Sequence, residues 1–198
     1  MRGIFYIGLI VSLYSCSERM FTYKFSMNES IKPNRQYYEN DTLSFSFDFY
    51  PTGIMIDFTN KSKELIKINW EELRITENEK EKKIEHILIR EWGLYVFKPT
   101  SIIEPKSNCT DFVVYAENIF YIKEDGKEVM KLKDMYPLKG NKSTRDSVLN
   151  LINQRIALFF PVDIKNVSYT KNFNFLVKKV RSRNTAWELT GLIPVPSF

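Results

Sequence analysis

The residue types best suited to nucleophilic or metal chemistry are scarce in this 198-residue chain, which has two cysteines and one histidine. Cys109 and His86 would have to meet in the fold to form a nucleophile–base dyad. No flanking pattern marks Cys109 as a nucleophile, and His86 lies within a predicted strand. We therefore interpret Cys109 as a small buried apolar residue and His86 as an ordinary strand residue. A reactive thiol is the alternative for Cys109.

Metal and phosphate chemistry are not indicated either. A structural zinc site takes four ligands, more than the histidine and cysteines of this chain supply. Glu124, Asp125 and Glu128 do not have the spacing of a calcium loop. The pair Glu71–Glu72 is interpreted as surface charge and not as part of a glycosidase site. The sequence predicts no catalytic residues, no metal, no cofactor and no enzymatic activity.

Cys16 has a context that does indicate chemistry, namely covalent lipidation. It follows Arg2 and a short apolar run, residues 4–13, which is about half of the roughly 20 residues that a membrane-spanning helix needs. A basic start, a short apolar stretch and small residues are typical of a secretory signal peptide. Leu13-Tyr14-Ser15-Cys16 resembles a bacterial lipobox, which implies cleavage after Ser15 and acylation of Cys16. The alternative is an ordinary cleaved signal with a chance cysteine.

The charge pattern bears on the class of partner. The net charge is +5, and both signs are interleaved, as in ENEKEKK from Glu77 to Lys83. Such a mixed, solvated surface differs from the clustered basic surface of a nucleic-acid-binding protein. We predict contact with a membrane through lipid on Cys16 and no nucleic-acid partner.

Apolar alternation predicts an all-β domain. In TLSFSFDF, residues 42–49, every second residue is apolar, which is typical of a strand with one buried face. Further alternating segments follow at short intervals, a spacing that favours an antiparallel sandwich or barrel. The segment STRDSVLNLINQ predicts one helix, capped by Ser143. Pro161, inside the segment RIALFFPVDI, predicts an edge position or a bulge.

One stretch of the chain resembles lipoproteins of Bacteroidota. In GIMIDFTNKSKELIKINW, a strand ending in Phe-x-Asn-Lys leads through a polar turn to Ile-x-Ile-x-Trp, as in that group. A later turn of the group, Ile-Pro-Pro-Gly, has Glu104 and Lys106 here in place of proline and glycine. The resemblance implies an immunoglobulin-like β-sandwich, in which an early tryptophan lies buried between the sheets. The matching residues of the first stretch are Phe58, Asn60, Lys61, Ile66, Ile68 and Trp70.

The predicted fold is therefore all-β: an immunoglobulin-like antiparallel β-sandwich with one short helix and N- and C-terminal extensions. Residues 1–15 are predicted to be a lipoprotein signal peptide and residues 16–36 a lipid-anchored tether. Residues 37–180 are predicted to form the sandwich and residues 181–198 a C-terminal tail.

Two functions are compatible with these features. The first is a membrane-anchored lipoprotein that acts as a non-catalytic binding or accessory subunit of an outer-membrane protein assembly. The alternative is a carbohydrate-binding module or hydrolase accessory at the cell envelope, with Trp92, Tyr95 or Trp187 as a sugar platform. Strand tryptophans and tyrosines are usually core residues, which favours the first.

The C-terminal tail offers candidate partner-binding residues. Arg181 and Arg183 open it, and Trp187 and Phe198 follow; arginine and tryptophan are common anchors at protein interfaces. The alternative is that the tail covers an edge or pole of its own sandwich.

The sequence around Cys16 also bears on localisation. We predict a lipid anchor in the outer membrane. Surface-exported lipoproteins of the Bacteroidota group carry acidic residues just after the cysteine, whereas here Glu18 stands alone before Arg19. The periplasmic side is therefore favoured over the cell surface.

Overall fold

Alternation of apolar and polar residues makes most of this chain extended. The computed structural model describes residues 19–28, 30, 36–89, 95–97 and 99–184. Within these ranges the chain forms one α-helix, α1 (Lys142–Leu149), and two short 3₁₀ helices, Trp70–Glu72 and Ala116–Asn118. The strands are β1 (Arg19–Met27), β2 (Gln36–Glu39), β3 (Leu43–Phe49), β4 (Ile54–Asn60), β5 (Ile66–Asn69), β6 (Arg74–Glu77), β7 (Lys80–Lys82), β8 (Ile84–Ile89), β9 (Tyr95–Phe97), β10 (Thr100–Ile103), β11 (Asn108–Tyr115), β12 (Ile119–Glu124), β13 (Lys127–Leu132), β14 (Lys139–Gly140), β15 (Arg155–Ile164) and β16 (Val167–Asn184).

The strands assemble into two packed sheets and a separate hairpin. The first sheet has the order β10-β5-β15-β16-β1-β14, with β6 also paired to β15 and β7 paired to β6. The second sheet has the order β2-β3-β4-β11-β8-β9, and β12 pairs with β13 alone. Every pairing among the described strands is antiparallel. The predicted all-β antiparallel sandwich with one short helix is confirmed.

Aromatic rings join the two sheets. Phe45 of β3 lies 4.8 Å from Phe160 of β15 and 4.7 Å from Phe173 of β16, measured between ring centroids, with the rings edge to face. Phe47 packs on Phe175 in the same way at 5.1 Å. These edge-to-face contacts are the favoured geometry for aromatic pairs. The predicted inward face of β3 is therefore confirmed by its contacts.

The predicted tether is wrong over residues 19–27, because these residues form β1. This strand pairs along its whole length with β16 and, at its start, with β14. Phe21 and Met27 are buried in the core, with Tyr23 and Phe25 packed against it. Apolar residues alternate at positions 21, 23, 25 and 27, which is the pattern of a strand with one buried face. The polar residues on either side of this short segment made the pattern hard to recognise.

The boundary between sandwich and tail is also wrong. The strand β16 continues to Asn184, so Arg181 and Arg183 belong to the first sheet, opposite Thr22 and Met20 of β1. The register shifts between Lys24 and Phe25 of β1, where β16 has one extra residue. The next buried residue of β16 after Val177 is therefore Val180 and not residue 179. Because of this bulge, apolar and polar residues stop alternating after Val177, and the sequence gives no sign that the strand continues beyond residue 180. Trp187 and Phe198 lie outside the described residues.

The helix α1 is capped two residues earlier than predicted. Asn141, not Ser143, is the N-cap: its side-chain oxygen accepts a hydrogen bond from the backbone N–H of Thr144 at 3.0 Å. Val148 is the buried residue of the helix. Among the described residues, no helix combines the length and apolar character needed to cross a bilayer.

Pro161 does not lie in an edge strand. Its strand, β15, has β16 on one side and both β5 and β6 on the other. The pairing with β6 ends at Phe159, and that with β5 begins at Val162. Successive residues of β15 direct their backbone groups alternately toward β16 and away from it. The two-residue turn at Lys165-Asn166 sets this alternation, and it directs the nitrogen of Pro161 away from β16. That nitrogen faces the gap between the end of the β6 pairing and the start of the β5 pairing. A proline, which has no N–H, therefore interrupts no ladder bond there.

Asn60 joins the two sheets at the turn between β4 and β5. It is fully buried. Its Nδ2 lies 2.7 Å from the carbonyl oxygen of Glu64 and 3.1 Å from those of Ile103 and Glu104, while its Oδ1 accepts from the backbone N–H of Ser62 at 2.9 Å. The amide thus fastens the end of β4, in the second sheet, to the end of β10, in the first.

Replacing Asn60 should therefore destabilise the sandwich strongly. Asn60→Ala leaves several buried backbone groups without their partner, at a cost of about 3 kcal/mol. We expect a lower midpoint of urea unfolding with an unchanged slope. Asn172→Ala, at an exposed position of β16, is the matched control and should change stability by less than ~0.5 kcal/mol. Equal midpoints for the two variants would contradict this role of Asn60.

Candidate functional site

A wide cleft opens where β15 changes its pairing partner from β6 to β5 in the first sheet. Because β5 and β6 both pair with β15, the intervening 3₁₀ helix Trp70–Glu72 bulges out of the sheet opposite Pro161. The cleft has a volume of about 840 Å³. Its lining comes from this 3₁₀ helix, the β6–β7 hairpin and the start of β8, with Pro99, Pro161 and Thr170 completing it.

Two stacked rings form the floor of the cleft. The indole of Trp70 lies flat on the imidazole of His86, with 4.2 Å between ring centroids and 5° between ring planes. Both residues are only 4% exposed. The backbone N–H of Trp70 donates to the carbonyl of Pro99 at 2.8 Å, which fixes the start of the 3₁₀ helix. The predicted burial of Trp70 between the sheets is confirmed, although the residue begins a 3₁₀ helix and does not lie in β5.

A buried carboxylate lies beneath these rings and collects hydrogen bonds from both sheets. Asp111 of β11 accepts from His86 Nε2–H of β8 at 2.8 Å and from the Ser101 hydroxyl of β10 at 3.3 Å. The Cys109 thiol donates to the same carboxylate at a sulfur–oxygen distance of 3.7 Å. Ser101 in turn accepts the indole N–H of Trp70 at 2.8 Å. We call Trp70, His86, Ser101 and Asp111 the inter-sheet network.

His86 lies in β8 and Cys109 packs against the core, as predicted, but their side chains also make polar contacts that the sequence did not indicate. The structure brings both side chains to Asp111, so His86 is part of a polar network and not merely an ordinary strand residue. Cys109 is half-buried and packs against the core. In this arrangement the imidazole, the hydroxyl and the thiol all act as donors to one acceptor, as expected of groups that compensate a buried charge.

Asp111 and Ser101 were missed in the sequence analysis, although a signal existed. Asp111 occupies an inward position of β11, in step with Val113 and Tyr115. Ser101 shares its face of β10 with Ile103. A polar residue at an inward position of an alternating strand indicates a buried partner, but the sequence does not show which residue that partner is.

The rim of the cleft carries charges of both signs. Lys82 pairs with Glu117 at 2.7 Å, and Lys83 pairs with Glu85 at 2.8 Å. In each case the hydrogen bond to the carboxylate raises the pKa of the lysine. Exposed pairs of this kind contribute little to stability. These charged side chains make the rim polar, whereas the stacked rings of Trp70 and His86 make the floor of the cleft aromatic.

Buried tyrosines surround a second, smaller cleft of about 190 Å³. The Tyr115 hydroxyl donates to the Glu77 carboxylate, and Tyr136 lies beside them. Burial raises the pKa of Tyr115 and of Tyr136 far above the ordinary value, and the charge of Glu77 adds to the effect. Both phenols therefore stay protonated at neutral pH, and Tyr115 donates its proton to Glu77.

The remaining predicted site residues are not brought to either cleft. Arg181 and Arg183 lie on the outer face of the first sheet. Cys16, Trp92 and Trp187, together with the side chain of Tyr95, lie outside what the structure describes. Within the described part of the chain, no group of three or more histidine, cysteine, aspartate or glutamate side chains is arranged to hold a metal ion.

Comparison with known proteins adds little to this geometry. No family model matches the chain, and no curated protein matches it. A solved structure that resembles it is described as a crystal structure of a protein from Archaeoglobus fulgidus. The two share 10% sequence identity, the match covers 83% of this chain and 95% of the other, and the TM-score is 0.28. No conclusion about fold or function follows from a likeness of that size.

Two substitutions of Trp70 should separate its packing from its hydrogen bond. Trp70→Ala removes the ring from His86 and should cost ~3–5 kcal/mol. Trp70→Phe keeps an aromatic ring but removes the donor to Ser101, and should cost about 1–3 kcal/mol. Phe120→Ala, at a 45% exposed position of β12, is the control. Chemical unfolding measures all three, and a loss for Trp70→Ala no larger than the control's would show that the ring does not hold the sheets together.

Proposed function

We propose that this chain is a lipid-anchored, non-catalytic binding module that serves as an accessory subunit of an outer-membrane protein assembly. Cys16 carries the lipid, on the periplasmic side of the membrane. The cleft above the inter-sheet network receives a segment of the protein partner.

The observation that carries the anchoring is the position of β1. This strand begins at Arg19, three residues after Cys16. Three residues span at most ~10 Å, so acyl chains on Cys16 would hold the sandwich directly at the membrane surface. Each buried methylene contributes about 0.8 kcal/mol, and two or more chains are needed for stable attachment.

The form of the cleft favours a polypeptide over a sugar. A sugar platform needs an exposed aromatic face, whereas Trp70 is buried and one face of its indole lies on His86. The rim instead presents interleaved carboxylates and amines, which complement a chain of mixed charge. Its volume lies in the range of binding clefts, ~300–1,000 Å³. These features support a protein ligand.

The anchor is tested by metabolic labelling with palmitate in a bacterial host that processes lipoproteins. The wild-type chain should take up label and mature to an N-terminus at Cys16. Cys16→Ser should lose the label and remain unprocessed. The control Cys109→Ser should label normally, because that thiol is packed against the core. Mature protein that begins at any other residue would refute lipidation at Cys16.

The cleft is tested by site-specific photocrosslinking in cells. A photoreactive amino acid at Lys83, on the rim, should give one discrete protein adduct. The same probe at Lys142, exposed at the start of α1 beside β14 at the other edge of the first sheet, should give none. The double charge reversal Glu72→Lys, Glu81→Lys replaces two carboxylates of the rim with amines. If this weakens partner binding by ~1 kcal/mol, the Lys83 adduct should fall about fivefold.

The controls for this experiment are Glu124→Lys and Glu128→Lys, both exposed in the β12–β13 hairpin. They change net charge by the same amount and should leave the adduct intact. Equal adducts at Lys83 and Lys142 would contradict a specific cleft. An adduct removed by glycosidase but not by protease would support the carbohydrate-binding alternative instead.

A further inference from the structure

One end of the first sheet carries a basic outer face. Residues directly opposite each other in antiparallel strands share a face. Met20 of β1 lies opposite Lys139 of β14 on one side and Arg183 of β16 on the other. The next two outward rows are Thr22 opposite Arg181 and Lys24 opposite Lys179. We call these seven residues the basic face: Met20, Thr22, Lys24, Lys139, Lys179, Arg181 and Arg183.

The composition of the basic face is one-sided. Five of its residues are lysine or arginine and none is acidic. All seven are exposed, and Met20 adds an apolar side chain at 39% exposure. The cleft rim differs, because it carries charges of both signs, as where Lys83 lies beside Glu85. A same-sign cluster within a mildly basic chain indicates a negatively charged partner.

The basic face also lies at the anchored end of the chain. Its first row is at residue 20, and Cys16 precedes that residue by four positions. The three rows extend about 13–17 Å along β1 at ~3.3 Å per residue. A lipid on Cys16 therefore brings the face within reach of the headgroups of the same bilayer. At such distances the negative potential of anionic lipids acts on basic side chains.

We propose that the basic face binds the anionic headgroups of the membrane that holds the lipid on Cys16. This inference rests on the proposed lipid anchor and adds an orientation to it. Only the basic end of the outer face of the first sheet lies on the membrane. The opposite end of β15 and β16, with the turn at Lys165-Asn166, points away from it. The lipid and the basic side chains then both attach the protein to the same membrane surface.

The test is lysine-acetylation footprinting of the mature lipidated protein, read by mass spectrometry. The protein is reconstituted in vesicles of phosphatidylcholine alone or with 30 mol% phosphatidylglycerol. In the anionic vesicles, Lys24, Lys139 and Lys179 should react at least threefold more slowly than in neutral vesicles. Lys63, exposed at the turn between β4 and β5, should react equally in both. Added salt should abolish the difference, because it screens charges at the surface.

A charge-reversal variant provides the matched comparison. Lys24→Glu combined with Arg181→Glu should remove the protection of Lys139 and Lys179 in anionic vesicles. The control, Lys63→Glu combined with Lys127→Glu, changes the net charge equally at two exposed positions outside the basic face and should preserve it. Thermal unfolding of both variants checks that the sandwich is intact.

The remaining outcomes separate this inference from the anchor. Protein that does not sediment with any vesicle contradicts the lipid anchor itself. Protein that sediments normally but reacts equally in both vesicles leaves the anchor standing and overturns the proposal for the basic face. Protection in intact cells without protection on anionic vesicles would assign the face to an acidic protein, and would also overturn it.

Discussion

A buried carboxylate that accepts hydrogen bonds from both sheets is the constraint on which the site depends. Removing a carboxylate from water is costly unless hydrogen bonds replace the lost solvation. Asp111 obtains them from His86 within its own sheet and from Ser101 across the sandwich. Because these donors come from separate strands, β8, β10 and β11 have little freedom to shift relative to one another. The network, together with the aromatic contacts around Phe45, thus fixes the relative position of the two sheets.

The shape of the cleft follows from this constraint. Ser101 accepts the indole N–H, and the indole covers His86, so Trp70 must leave the line of β5 to meet both. The 3₁₀ helix that results opens a gap beside β15. Pro161 faces that gap, where a missing backbone N–H breaks no ladder hydrogen bond. The same features that seal the interior therefore create the concave surface outside it.

The local alternation of apolar and polar residues was sufficient to predict much of the sandwich, but not the pairing of β1 with β16. The strands β3, β4 and β15 alternate cleanly, and each places its apolar residues in the core. The strand β1 alternates less distinctly, and its partner β16 lies about 150 residues away with a bulge at the shared register. Pairing over such a separation depends on the whole fold, which no local window contains. Residues 19–27 therefore read as a tether.

The site shows the same division. The burial of Trp70 was implied by the motif that this chain shares with the Bacteroidota lipoproteins. Asn60 belongs to the same motif, but its hydrogen bonds between the sheets were not predicted. Asp111 and Ser101 appear as isolated polar residues in apolar strands, and their connection through Trp70 exists only once two sheets face each other. The orientation on the membrane is likewise a consequence of register, because only the pairing of β1 with β14 and β16 gathers the basic side chains into one surface.

Hydrogen exchange of the Trp70 indole N–H tests the central claim, that the inter-sheet network is buried and intact, most directly. The proton is observable by NMR, and its bond to the Ser101 hydroxyl is closed to solvent. The account predicts exchange as slow as that of the most protected core amides, because the proton should be released only by unfolding of the sandwich. Exchange at the rate of an exposed indole, while core amides remain protected, would contradict it.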